Sequence, residues 1–339
     1  MTGGRLLLHA LGSLAFPGFG HGLTHQRGQM LVWSLLAIAA TLAITVSVWF
    51  LPLVLAIRLA SAADSLRFLR RHTGPGNATL AAIAVVIAAL GLGYAKLALE
   101  AFRIPSSSMY PTLEIDDHIY VDKLTVRWRG IERGEVIVFD HPCSHVPYVK
   151  RVIAIGGDTV EVRCNVVHVN GAPLASALVF EKDTYQDYDE HADRWYSREC
   201  SRYQETHGSR TYEVFHDRER PVRERARDTI AASDRHDFPD TSRPFAPSCR
   251  HGDFYPDAPG ARQPTGTLVR TKANARPCEL QQHFVVPAGA LFVMGDNRNN
   301  ANDSRYWGLI ATDAVLGRVV GIWMSSGERG RFKRFGAVD

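Results

Sequence analysis

Two long apolar runs near the start restrict this chain more than any other feature. Leu31 to Leu59 is about 29 residues and Ala78 to Leu99 about 22. Roughly 20 apolar residues cross a bilayer as a helix. Backbone inside lipid must satisfy its own hydrogen bonds, so such runs are read as helical. The first run, 31–59, is long enough to tilt or to kink at Pro52, and it is too long and too internal for a cleaved leader. The second, 78–99, is read as a transmembrane helix with Lys96 near its end, where a long side chain reaches the interface. Between them, residues 60–77 form a loop carrying Arg67, Arg70 and Arg71, with Arg58 just before it and Asp64 as the one acid. The excess of arginine places that loop in the cytoplasm, so the second span delivers everything after Glu100 to the outer side. Residues 1–30 contain a short apolar stretch, Leu6 to Phe16, closed by Pro17-Gly-Phe-Gly20. It is read as an interfacial or re-entrant segment, and its side of the membrane stays open.

From about Phe102 the pattern changes to short runs of β-branched and aromatic residues. These are His118 to Asp122, Glu135 to Phe139, Tyr148 to Ile155, Thr159 to Arg163 and Val166 to Val169. Asn170-Gly171 follows, a dipeptide that favours two-residue hairpin turns. Further turns are expected at Arg133-Gly134, Gly156-Gly157-Asp158 and Pro287-Ala-Gly289. The fold expected is mainly β: transmembrane helices, then an antiparallel β domain over residues 100–174 and 284–339, split by a polar inserted subdomain over 175–283. The insertion is rich in charge and weak in periodicity, with one candidate strand at Thr211 to Phe215 and a charged helix or loop at Arg218 to Arg227. A net charge of +4 with no long basic block gives no reason to expect nucleic acid.

The five cysteines, Cys143, Cys164, Cys200, Cys249 and Cys278, all follow the apolar runs, and none forms a C-x-x-C pair. A zinc ribbon or thioredoxin-like site is not expected. In an oxidising space one or two disulfides would form, with at least one thiol left over; in a reducing one, all five would be small buried side chains.

Chemistry concentrates in three places. Ser106, Ser107 and Ser108 lie between Pro105 and Pro111, on a loop that the prolines keep out of regular helix or central strand. Taken alone, this is also what a serine-rich linker after a membrane helix looks like. Lys150 sits in an apolar run, and strand alternation puts it on one face with Tyr148 and Val152. Burial there penalises the ammonium and lowers the pKa from ~10.4. A neutral lysine can activate a serine without any histidine or aspartate; the plainer reading is a lysine on an exposed edge strand. The third place is the polar string Gly295 to Gly308, in which Asp296, Arg298, Asp303 and Arg305 can pair and stiffen a loop.

The order and spacing of these blocks resemble bacterial type I signal peptidases, the leader peptidases that use a Ser-Lys dyad. The matching segments are Ile104-Pro-Ser-Ser-Ser-Met-Tyr-Pro-Thr-Leu113, Asp117-His-Ile-Tyr-Val121, Arg133-Gly-Glu-Val-Ile-Val-Phe139, Tyr148-Val-Lys-Arg-Val152 with Gly157-Asp158, Gly295 to Gly308, and Gly321-Ile-Trp-Met-Ser325. The resemblance implies a membrane-bound serine endopeptidase that removes signal peptides from secretory preproteins at the outer, periplasmic face of the cytoplasmic membrane. It implies Ser108 as nucleophile, Lys150 as general base, and an oxyanion hole from the Ser106 hydroxyl and the Ser108 N–H. Arg151, Asp296, Asp303 and Arg305 would be structural support. Phe102, Ile104, Met109, Ile119, Val138, Tyr148 and Val149 would bind the small residues at −1 and −3. Signal peptides and membrane lipid are the partners implied, with a monomeric enzyme, no cofactor and no metal.

Two positions depart from the family pattern. Ser107 stands where glycine is common, which is tolerable with a negative φ. Ala301 stands where a serine commonly holds the lysine, so Lys150 would lean on Ser106, water or a backbone carbonyl. Two other readings stay open: a narrower maturation peptidase of the same class, for example in conjugative transfer, and a membrane-tethered binding module with a decayed site. A relative of the self-cleaving Ser-Lys repressors is excluded by the apolar runs, which stand where a DNA-binding domain would be.

Overall fold

The computed structural model describes residues 3–24, 26–44, 50–71, 85–86, 93, 97–189, 191–227, 236–241, 245–249, 263–326 and 334–338. The N-terminal part is helical: α1 (Gly3–Ala15), α2 (Phe19–Leu23), α3 (Arg27–Ala43) and α4 (Leu51–Arg71). Arg58 on α4 donates to the carbonyls of Leu14 and Ala15 at 3.1 and 2.8 Å. It thereby satisfies acceptors that the end of α1 leaves open.

This arrangement corrects the expectations for the first run. Within 31–59, α3 stops at Ala43 and α4 begins at Leu51, and residues 45–49 lie outside the described residues. Pro52 lies in the first turn of α4, where its missing N–H is not needed. The segment expected as a loop over 60–77 is helical as far as Arg71. Among the described residues no helix is long and apolar enough to cross a membrane; α4 has the length but carries Arg58, Asp64, Arg67, Arg70 and Arg71. The expected span 78–99 lies outside the described residues except for Val85, Val86, Gly93 and Leu97 to Leu99.

The remainder is mainly β. In chain order the strands are β1 (Leu99–Arg103), β2 (Asp117–Asp122), β3 (Val136–Asp140), β4 (Pro147–Ile155), β5 (Thr159–Arg163), β6 (Val166–Val169), β7 (Ala172–Pro173) and β8 (Ala175–Asp189). They continue with β9 (Arg194–His207), β10 (Arg210–Asp217), β11 (Thr267–Arg270), β12 (Gln282–Val285), β13 (Ala290–Met294), β14 (Ile310–Ala311), β15 (Val315–Ser325) and β16 (Gly336–Ala337). The main antiparallel sheet runs β1-β2-β15-β3-β4-β13-β14, with β16 on β15. A second sheet is ordered β11-β12-β5-β6-β7 and a third β10-β9-β8. Asn170 and Gly171, both at positive φ (54° and 77°), make the tight turn between β6 and β7.

Alternation along the main sheet sorts its side chains into two clusters. Ile104, Met109, Leu113, Ile119, Val121 and Val138 pack together on one side. Ile137, Phe139, Val152, Leu291, Val293 and Trp307 pack on the other. The catalytic-domain candidates therefore sit on strands whose register is fixed by packing, since a one-residue slip would exchange the residues that face the two clusters.

The insertion holds more order than its composition suggested. β8, β9 and β10 form a long hairpin and a third strand, and only the candidate strand within β10 was expected. Charged side chains meet across it: Arg202 contacts Asp183 on β8 and Glu213 on β10. Cross-strand ion pairs replace the apolar alternation by which strands are read.

Cys143 pairs with Cys249 and Cys164 with Cys278, leaving Cys200 free and buried. Burial pushes the Cys200 thiol up to about 12, so it has almost no thiolate at neutral pH. A thiol reagent is expected to titrate no cysteine in the native, unreduced protein and one after unfolding. A count of three or five after unfolding would mean that one or both bridges are missing.

Candidate active site

Ser107–Met109 forms a single 3-10 turn between Pro105 and Pro111. Ser107 is not among the residues with positive φ, so the side chain at that position costs no backbone strain. The turn rests on the loop after β13. Asn297 donates its backbone N–H to the Ser108 carbonyl at 3.2 Å and its side-chain amide to the Ser107 carbonyl at 3.1 Å. Gly295 is required beneath it: a Cβ there would meet the Ser108 carbonyl and the Ala301 methyl inside contact distance.

Lys150 lies in β4 between β3 and β13, opposite Ile137. Its residue is 3% exposed. Nζ lies 3.0 Å from Ser108 Oγ and donates to the Val149 carbonyl at 2.9 Å. Ser106 Oγ is 3.3 Å from Ser108 Oγ. Of the three supports open to Lys150 in the absence of a serine at position 301, a backbone carbonyl is thus one in place. Burial pulls the Lys150 ammonium down to about 8, against the opposing pull of Asp303 and then Asp296. His141 packs against the Tyr148 ring, 4.3 Å between centroids. Burial, then the Lys150 charge, lowers it to about 4, so it is neutral at pH 7.

The expected support residues form two buried pairs. Arg151 binds Asp296 through Nε and a terminal nitrogen at 2.8 and 2.7 Å, with both side chains fully buried. Arg305 binds Asp303 at 2.8 Å through two nitrogens. Asp303 also accepts the Gly295 N–H at 3.0 Å, so this pair sets the strand end that carries the turn.

A cleft of about 530 Å³ opens at Ser108 and Lys150. Phe102, Ile104, Met109, Val138, Tyr148 and Val149 line it. Ile119 does not; it is fully buried beneath, packed with Ile104 and Val138. Sequence reasoning missed Asn300 and Asn302, which also line the cleft. It also missed Glu205 on β9, which holds Arg298 at 3.0 and 2.5 Å, and Asp187 on β8, which accepts from Ser107 Oγ at 2.6 Å. Asn300 and Asn302 lie within the Gly295 to Gly308 string but were not singled out there, and Glu205 and Asp187 lie in the insertion, where no sequence pattern marked them. Among the described residues no cluster fit to hold a metal occurs.

The family model described as "Signal peptidase, peptidase S26" matches residues 77–324. Signal peptidase I of Aquifex aeolicus is 29% identical over 229 residues, 67% of this chain and 76% of that protein. Signal peptidase I of Buchnera aphidicola from Acyrthosiphon pisum is 27% identical over 246 residues, 67% of this chain and 68% of that one. Signal peptidase I of Pseudomonas aeruginosa is 27% identical over 251 residues, 67% and 65%. The match covers both halves of the β domain and the insertion between them, and the chain accordingly belongs to the signal peptidase family, peptidase S26, as a serine endopeptidase.

Proposed function

We propose that this protein cleaves signal peptides from exported preproteins by a Ser108–Lys150 dyad, at the outer face of the cytoplasmic membrane to which its N-terminal part attaches it. The observation that carries the reading is a buried lysine amine 3.0 Å from a serine hydroxyl in an open cleft. With the amine neutral, one Nζ–H donates to the Val149 carbonyl. That turns the lone pair toward the Ser108 O–H. As Oγ attacks the scissile carbonyl, its proton passes to Nζ; the new oxyanion takes hydrogen bonds from Ser106 Oγ and the Ser108 N–H. Each such donor contributes ~3–4 kcal/mol in serine proteases. The Lys150 ammonium then protonates the departing amine, and the regenerated base activates water against the acyl-serine.

The cleft walls favour small side chains at −1 and −3. Ile104, Met109 and Val138 line the cleft, are buried and pack against one another, so this wall is apolar and already filled. Attachment to lipid is supported by the apolar runs of the sequence and by the family. A full-chain preparation in detergent should process a preprotein with Ala at −1 and −3. Ser108→Ala and Lys150→Ala are each expected to abolish processing; normal rates in either variant would sink the mechanism.

A further inference from the structure

The Ser107 hydroxyl has no part in the dyad, yet it is held as tightly as anything in the site. Ser107 is 5% exposed. Its Oγ donates to Asp187 Oδ1 at 2.6 Å and accepts from Asn300 Nδ2 at 3.0 Å. Asp187 lies near the tip of β8, in a hairpin most of whose residues are exposed, and is itself 6% exposed. Its other oxygen, Oδ2, accepts from Asn300 Nδ2 at 2.9 Å and the Tyr196 hydroxyl at 3.2 Å, with Arg198 at 3.4 Å. Arg198 also donates to Asn300 Oδ1 at 2.6 Å, and the Tyr188 N–H donates to Asp187 Oδ1 at 3.0 Å. A carboxylate withdrawn from water this far needs such donors. They come from three separate stretches: the nucleophile turn, the hairpin and the loop after β13.

We propose that Asp187 is a positioning residue for the nucleophile: it fixes Ser107 from the inserted hairpin and thereby sets Ser108 Oγ against Lys150. The insertion is then a working wall of the active site. The inference rests on the dyad reading for its kinetic consequence, but the latch itself is a statement about the turn. Ser107 precedes Ser108 directly and shares its 3-10 turn, so a shift of one moves the other. A displacement of about 1 Å at a reacting atom costs roughly 100-fold.

The test is a double-mutant cycle on the full chain with a preprotein substrate. Asp187→Ala is expected to lower kcat about 10- to 100-fold with KM changed less than about threefold, because the loss is of alignment and not of binding. Ser107→Ala should cost a similar factor, and the double variant no more than the worse single, since both remove the same link. Asp187→Asn keeps one acceptor for Ser107 but turns an amide NH₂ toward the donors now at Oδ2, so it should recover part of the rate lost in Asp187→Ala. Losses that multiply, or an unchanged kcat in Asp187→Ala, would overturn the proposal; a purely structural Asp187 would lower stability without this pattern. Hydrogen exchange of residues 104–113 gives a reading that needs no activity. Asp187→Ala should speed exchange there in the native background and add nothing in the Ser107→Ala background. Equal acceleration in both backgrounds would refute the latch, whereas a Ser108→Ala variant that still cleaves would refute the dyad and leave the exchange result standing.

Discussion

Replacing Lys150 with methionine is expected to abolish cleavage and to stabilise the protein. A general base contributes roughly 10²- to 10⁴-fold, and methionine fills the same space with no proton acceptor of use. The stabilisation follows from burial. The folded state holds the Lys150 pKa down at about 8, whereas the unfolded chain restores the ordinary value of ~10.4. Below pH 8 the amine is charged in both states, and the fold carries the full penalty of a buried ammonium, on the order of 3 kcal/mol. Between about 8 and 10.4 the unfolded chain binds the proton that the folded one has released, so this contribution to stability rises with pH across that window. The methionine variant should melt several degrees higher at pH 7, and the gap should narrow toward pH 10.5. Activity of the native enzyme should rise with pH through a midpoint near 8, where half the amine is neutral, and level off about one unit higher. A flat profile from pH 6 to 9, or a destabilised methionine variant, would contradict a depressed lysine.

Asp296→Ala is the change expected to cost most stability. Arg151 and Asp296 are both fully buried, and the arginine is further held by the Gly134 carbonyl at 2.7 Å and by Thr112 Oγ1 at 3.2 Å. Its guanidinium carbon lies 3.7 Å from the centre of the Tyr212 ring on β10. Truncating the acid removes the carboxylate that binds Arg151 through two nitrogens and leaves that charge buried, a loss of about 3–5 kcal/mol. Asp296→Asn keeps the shape and should cost less. It also removes a charge that holds the Lys150 pKa up, so its pH-activity limb should shift to lower pH. Chemical denaturation and a pH-rate profile check the two halves of this expectation; a limb that moves to higher pH would refute the second.

The main sheet was legible in the sequence for a physical reason, whereas Ser108 and Lys150 were singled out by the family resemblance. Strands such as β3 and β13 are packed on both faces, so burial imposes residue types that can be read. Pro105, Pro111, Gly295 and Gly308 punctuate the loops that carry the site. The hairpin of β8 and β9 was not legible, because salt links such as Arg202 to Asp183 hold it in water, and charged residues look alike in strand, helix or coil. The same blindness hid Asp187, one acid among many, whose meaning comes only from the 80 residues of chain that fold it back onto Ser107. The end of α3 at Ala43 lay inside an apolar run whose hydropathy is continuous, so hydropathy gave no sign of it.

The two disulfides carry one more consequence. Both bridges enclose every residue from 165 to 248, because one joins 143 to 249 and the other 164 to 278. A single cut by a protease anywhere in that stretch, including the exposed turn between β8 and β9, divides the polypeptide without dividing the molecule. The two pieces stay joined at two points, so the nicked enzyme keeps its mass until a reductant releases the fragments.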